Sequence, residues 1–282
     1  MPRLGKAIAR ICADAFGHYF SDDGWAMASH VALSILMAIF PFLIFATALA
    51  SFIGAEAFAD TAVHLVFDTW PQQIAGPIAG EVQRVLTEQH GGILTLSVAV
   101  AAYFASNGIE ALRVSLNRAY RITERRSFIF CRLQSLAFVL VATLGMTAIS
   151  FLLVLAPLAV RLGASWFPEL SHLAGTISLW RYLIAFVVLV LGLIVVHLFL
   201  PARRQRIRDI LPGIAMTLIA WFGAAAIFAR YLESFANYVS TYAGLASIVV
   251  AIVFLYIVAA IFIIGAEMNA AILRYRAGKA AG

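Results

Sequence analysis

Charge is the scarcest feature of this sequence. Only 12% of its 282 residues are Asp, Glu, Lys or Arg, while 63% are hydrophobic. Soluble domains carry about 25% charged residues. With so little polar surface to present to water, and a mean hydropathy of +0.95, the chain requires lipid as its solvent.

Cysteine is nearly missing as well. Cys12 and Cys131 are the only two. They form neither a disulfide framework nor a metal-ligand spacing. There is no His-x-x-x-His, no Cys-x-x-Cys and no clustered His/Asp motif, so no cofactor or metal is expected. A Walker loop is missing, which argues against ATP-driven pumping by this chain alone, and so is a Gly-x-Ser-x-Gly elbow. Together these absences argue against an enzyme. A cleavable signal peptide is not expected either. Arg3, Lys6, Arg10 and Asp14 interrupt residues 1–20, so the first membrane helix is expected to serve as its own insertion signal.

What the chain has is long charge-free runs. Six reach the roughly 20 residues that cross a bilayer as a helix: Gly24–Ala55, Gln89–Ile109, Leu133–Val160, Tyr182–Ala202, Ile210–Ala229 and Ser234–Ala266. They predict an all-α polytopic membrane protein with six transmembrane helices near 30–54, 92–109, 133–158, 180–200, 210–231 and 243–266. Sixteen of the twenty Lys and Arg residues fall in 1–29, 110–132, 201–209 and 267–282, and four fall on the other side. The positive-inside rule makes the first set cytoplasmic, so both termini point inward. Residues 1–29 form a cytoplasmic amphipathic arm, 30–266 the six-helix domain with an outer loop at 55–91, and 267–282 a cytoplasmic tail.

Three segments read as amphipathic helices too polar to span. Residues 4–20 align Leu4, Ile8, Ile11, Ala15, Phe16 and Tyr19; 72–89 align Ile74, Ile78, Val82, Val85 and Leu86; 109–120 align Ile109, Leu112, Leu116 and Tyr120. The first and third are placed at the cytoplasmic interface. Pro41 should kink the first span, and Gly223-Ala224-Ala225-Ala226 should admit a close helix neighbour in the fifth.

The basic residues need no nucleic acid to explain them. Arg113, Arg118, Arg121, Arg125 and Arg126, and Arg203, Arg204, Arg206 and Arg208, flank spans, where they set topology and meet anionic lipid head groups. Membrane lipids are therefore the expected partners, and a second copy or another envelope protein is the open protein partner.

Certain loops resemble a known family. The segment SNGIEALRVSLNRAYRITERRSF at Ser106–Phe128, LPARRQRIRDILPG at 200–213, the Tyr238–Tyr242–Gly244 region, IIGAEMNAAILR at 263–274 and ASHVALSILMAIFPFLI at 28–44 resemble the BrkB/YihY family of bacterial inner-membrane proteins. The resemblance covers most of the chain. It implies a six-helix membrane domain with inward termini in the bacterial inner membrane. Members have carried the label ribonuclease BN, an attribution widely regarded as mistaken, and others are linked to resistance to host serum killing. Transport of a solute or lipid is the usual conjecture, and no catalytic residues are supplied.

Ionisable groups inside membranes face a bundle interior or water. The topology puts His30, Asn107, Glu110, His197, Glu267 and Asn269 at one depth, near the inner boundary. The functional expectation is a polar collar in which Glu267 or Glu110 binds a proton or cation and His30 or His197 titrates. The plainer expectation is interface residues bonded to basic neighbours, such as Glu110 with Arg113 three residues on. A transporter is the leading reading, followed by an envelope-maintenance scaffold, with a ribonuclease last.

Overall fold

The computed structural model describes residues 2–52, 94–145, 170–241 and 243–280. The outer loop 55–91 with its helix 72–89, and parts 53–54, 92–93 and 146–158 of the expected spans, lie outside the described residues. Seven helices and no strand are present among the described residues: α1 Pro2–Ser21, α2 Gly24–Phe52, α3 Leu94–Ala119, α4 Phe128–Gly145, α5 Leu170–Phe199, α6 Ile207–Thr241 and α7 Ala243–Ala280. Among the described residues, three stretches are long and apolar enough to cross a membrane: Phe128–Gly145, Ile207–Leu232 and Ile248–Gly278. Gly24–Ile39 and Leu183–Phe199 are shorter apolar stretches. The helix α2 runs through Pro41. The amphipathic segment 109–120 is no separate helix, because α3 continues into it without a break.

The chain divides into two compact units. The first comprises Met1–Ala38, Asn107–Ser135 and Gly192–Gly282, the second Ile39–Ser106 and Leu136–Leu191. In the second unit two hydroxyls bond back to their own helix. Thr143 Oγ1 donates to the Val139 carbonyl at 2.8 Å and Ser106 Oγ to the Tyr103 carbonyl at 2.6 Å. Such bonds back to the preceding turn let hydroxyls sit on helices in an apolar setting.

In the first unit α6 and α7 pack antiparallel. Trp221 Nε1 donates to the Val258 carbonyl at 3.0 Å, and Phe228 meets Phe254 at 5.3 Å between ring centroids. Toward the start of α6 the backbones themselves touch. A Cβ on Gly213 would land on the Gly265 carbonyl and the Asn269 side chain, and one on Gly265 would land on the Thr217 hydroxyl. Pro212 explains part of this geometry. It supplies no N–H and crowds the carbonyl four residues back, and the next N–H, that of Gly213, is donated to Asn269 Oδ1 at 2.6 Å. Gly223, expected from sequence to admit a neighbour, has nothing within reach of a Cβ. It lies on the exposed side of α6, so the small-residue contact belongs to Gly213 instead.

Helix α1 packs on α7 with Ala15 and Tyr19 buried. Ile8 and Phe16, aligned with them by sequence, remain exposed, as does Phe20. Asp14 pairs with Arg274 at 2.8 Å and with His18 at 3.1 Å. These side chains are about one-third exposed, and such pairs contribute about 1 kcal/mol or less. Asp14→Asn is therefore expected to lower the unfolding midpoint only slightly and to leave α1 protected from added protease; rapid proteolytic loss of α1 would contradict this.

Candidate functional site

Two groups of polar residues stand out among the described residues of the first unit. The first is built where α3 ends. Ile122 N donates to the Asn117 carbonyl and Arg121 N to the Arg118 carbonyl, with Arg121 at φ 55°. This is a Schellman cap with arginine where glycine is usual, a conformation costing an L-residue about 1 kcal/mol. The Arg121 guanidinium meets Asp22 at 2.7 Å, and Arg118 meets Asp23 at 3.2 Å, which ties the α1–α2 turn to this end of α3.

The cap directs the chain so that Glu124 returns toward α3. Its Oε2 accepts from Arg113 Nη1 at 3.0 Å, Asn117 Nδ2 at 3.0 Å and Arg126 Nη2 at 2.7 Å. Its Oε1 accepts from the Arg126 backbone N and from Nε at 2.8 Å. The Arg126 bonds hold this carboxyl down at about 2, burial opposing them and Asn117 assisting. Arg126 also donates to Gln134 Oε1 and to the Leu200 carbonyl, Gln134 to the Phe199 carbonyl, and the Ala202 N–H to Asn117 Oδ1. Arg113 pairs with Glu110, whose other oxygen accepts from Ser135 Oγ at 2.7 Å. Arg132 Nη1 donates to Asn107 Oδ1 at 2.9 Å. Asn107 and Glu110 are thus bonded to arginines, within a polar knot joining α3, α4 and the α5–α6 turn.

The second group surrounds α7. Asn269, fully buried, bonds Gly213 N with its oxygen and donates its amide to the Tyr120 hydroxyl at 3.2 Å. Burial pushes the Tyr120 phenol above the usual tyrosine range; the Asn269 bond opposes this and nearby Glu267 adds to it. The Tyr120 ring meets the edge of His197, which also contacts Phe262 at 5.0 Å. His197 Nδ1 donates to the Leu193 carbonyl at 2.9 Å, which in the neutral ring leaves the lone pair on Nε2. His197 Nε2, Thr217 Oγ1 and Glu267 Oε2 are buried with no hydrogen-bond partner among the described residues.

Glu267 stands out among these. It is 2% exposed, and no ion pair holds it among the described residues. A buried carboxylate with no partner costs several kcal/mol, so such a group is neutralised by a proton or a cation. His30 is exposed and joins neither group. Among the described residues, no cluster of three or more His, Cys, Asp or Glu side chains is placed to hold a metal ion. Sequence reasoning missed Tyr120, Thr217, Asn117 and Glu124 as site residues. Only Glu124 offered a signal, as the lone acid between Arg118 and Arg126.

The family model described as virulence factor BrkB matches residues 15–282. The chain belongs to the BrkB family. A BrkB family member is thereby a membrane protein, consistent with its apolar helices. Among relatives, it is 28% identical over 260 residues to the ribonuclease-like protein YfkH of Bacillus subtilis (strain 168), covering 91% of this chain and 93% of that one. It is 26% identical over 294 residues to the UPF0761 membrane protein RC1_0578 of Rhodospirillum centenum, covering 98% of this chain but only 60% of that protein's length. A UPF0761 membrane protein of Pseudoalteromonas atlantica is 23% identical over 93% of this chain and 85% of its own. No solved structure gives a significant match.

Proposed function

We propose that this BrkB family chain is a transporter of the bacterial inner membrane, with six spans and both termini cytoplasmic, in which Glu267 takes up the proton or small cation that drives an unidentified solute or lipid. The 16-to-4 division of Lys and Arg supports the orientation. The observation that carries the transport reading is the contrast between two glutamates. Glu110 is spent on Arg113 and Ser135, whereas the buried Glu267 has no ion pair and its Oε2 no hydrogen-bond partner among the described residues. Unpaired ionisable groups in membrane proteins mark ion pathways. A ribonuclease reading rests only on the name of the Bacillus subtilis relative.

The test uses the full chain in liposomes loaded with a pH-sensitive dye, under an imposed potential, with and without a sodium gradient. Proton or sodium flux above that of empty liposomes is expected, falling to the empty level in Glu267→Gln and partly kept in Glu267→Asp. Flux that is undetectable, or unchanged in Glu267→Gln, overturns the proposal and leaves the scaffold reading ahead. The orientation has its own readout. A tag fused after Gly282 should resist protease added to intact cells, and cleavage of that tag would reverse it.

A further inference from the structure

The arginines outside the spans are not equivalent. Arg113, Arg118, Arg121 and Arg126 each hold an acidic partner within the chain, and Arg204 lies over the Phe199 ring. Arg206 and Arg208 hold no acidic partner among the described residues. Both line an open cleft of about 620 Å³ with Ile207, Asp209 and Arg276. Asp209 pairs with Arg276 at 3.1 Å, which cancels those two charges. The cleft is left with two uncompensated guanidinium groups, a donor set suited to the oxygens of a phosphate.

An apolar track leads away from the same cleft. Ile207, on its wall, is exposed, and so are Leu211, Ala215, Ile219 and Phe222 further along α6. Steps of four, four, four and three residues keep them on one flank of the helix. The apolar stretch Ile207–Leu232 begins at the cleft itself, so the arginines stand where hydrocarbon gives way to head groups. One amphiphile fits both features at once.

We propose that the cleft carrying Arg206 and Arg208 is a specific site for an anionic phospholipid, its phosphate held by these two arginines and an acyl chain lying along Ile207, Leu211, Ile219 and Phe222. The site stands independently of the transport reading. It requires only that α6 sits in the membrane. The net positive charge selects phosphatidylglycerol over zwitterionic phosphatidylcholine, and the track makes the occupant a lipid instead of free phosphate.

The experiment titrates each of these two lipids onto the purified full chain in detergent and counts bound lipid by native mass spectrometry. Phosphatidylglycerol should bind the tighter, and R206Q/R208Q should weaken it roughly tenfold or more, since each basic residue adds substantially to binding at an anionic surface. The double variant should leave phosphatidylcholine binding and the unfolding midpoint unchanged. R206K/R208K, which keeps charge but loses the planar fork, should fall between. R10Q removes an exposed arginine on α1 and should have no effect. Equal binding of both lipids, equal loss in R10Q, or displacement of phosphatidylglycerol by millimolar inorganic phosphate would each overturn the proposal.

Discussion

Gly213→Leu is expected to force α6 away from α7 and to cost about 3 kcal/mol, combining overpacking with the loss of one buried hydrogen bond. No flexible side chain can yield here. The new Cβ would meet a backbone carbonyl, that of Gly265, and the same movement would pull the Gly213 N–H from Asn269. Asn269 also holds Tyr120, so the second polar group should loosen with the helix contact. Gly265→Ala should act in the same direction through the Thr217 hydroxyl. Gly223→Ala is the contrast. With open space around it, alanine should be neutral or stabilising by up to about 1 kcal/mol, since glycine is the poorer helix former. Unfolding of the three variants in mixed micelles, followed by circular dichroism, checks the order. A Gly213→Leu protein as stable as the parent would show that the two helices do not meet as described.

Glu124→Ala is expected to be nearly as damaging, at about 3 kcal/mol, because it strands cations that were chosen to be paired. Arg113 is only 7% exposed and would be left with Glu110 alone, while Arg126 would lose three bonds. The pH dependence carries a sign. The folded carboxyl sits at about 2 against an ordinary 4.5, so the folded state favours the charged form. Its stabilisation is fully present above pH 4.5 and is lost as pH falls toward 2, a swing of about 3 kcal/mol. Unfolding midpoints measured between pH 2 and 7 should decline across that window in the parent. In Glu124→Ala the decline attributable to this group should vanish. A parallel pair of curves would remove Glu124 from the centre of the knot.

The helices were legible because apolar runs and three-to-four-residue spacing are local properties. The Glu110–Arg113 pair was legible for the same reason. What the sequence concealed depends on distant partners. Tyr120 and Asn269 are 149 positions apart, and Asn117 and Ala202 are 85 apart. No periodicity links them, and only packing brings them together. Arg121 was hidden differently. A left-handed cap is normally announced by glycine, and here an arginine takes the position with Asp22 as its partner. Glu124 read as one acid in a basic run, a pattern that usually means solvated charge. The expected collar of six polar residues was grouped by depth alone. Depth does not specify partners, and the partners separate Asn107 and Glu110 from His197 and Asn269.

The length of α7 has a mechanical consequence. At 38 residues it extends about 57 Å, nearly twice a bilayer's hydrocarbon thickness. Its final turns carry Arg274, which grips α1, and Arg276, which grips Asp209 at the start of α6. A few turns back are Gly265, Glu267 and Asn269. If α7 turns as one piece, a rotation set off by charge uptake at Glu267 is expected to reach the N-terminal helix on one flank and the arginine cleft on the other.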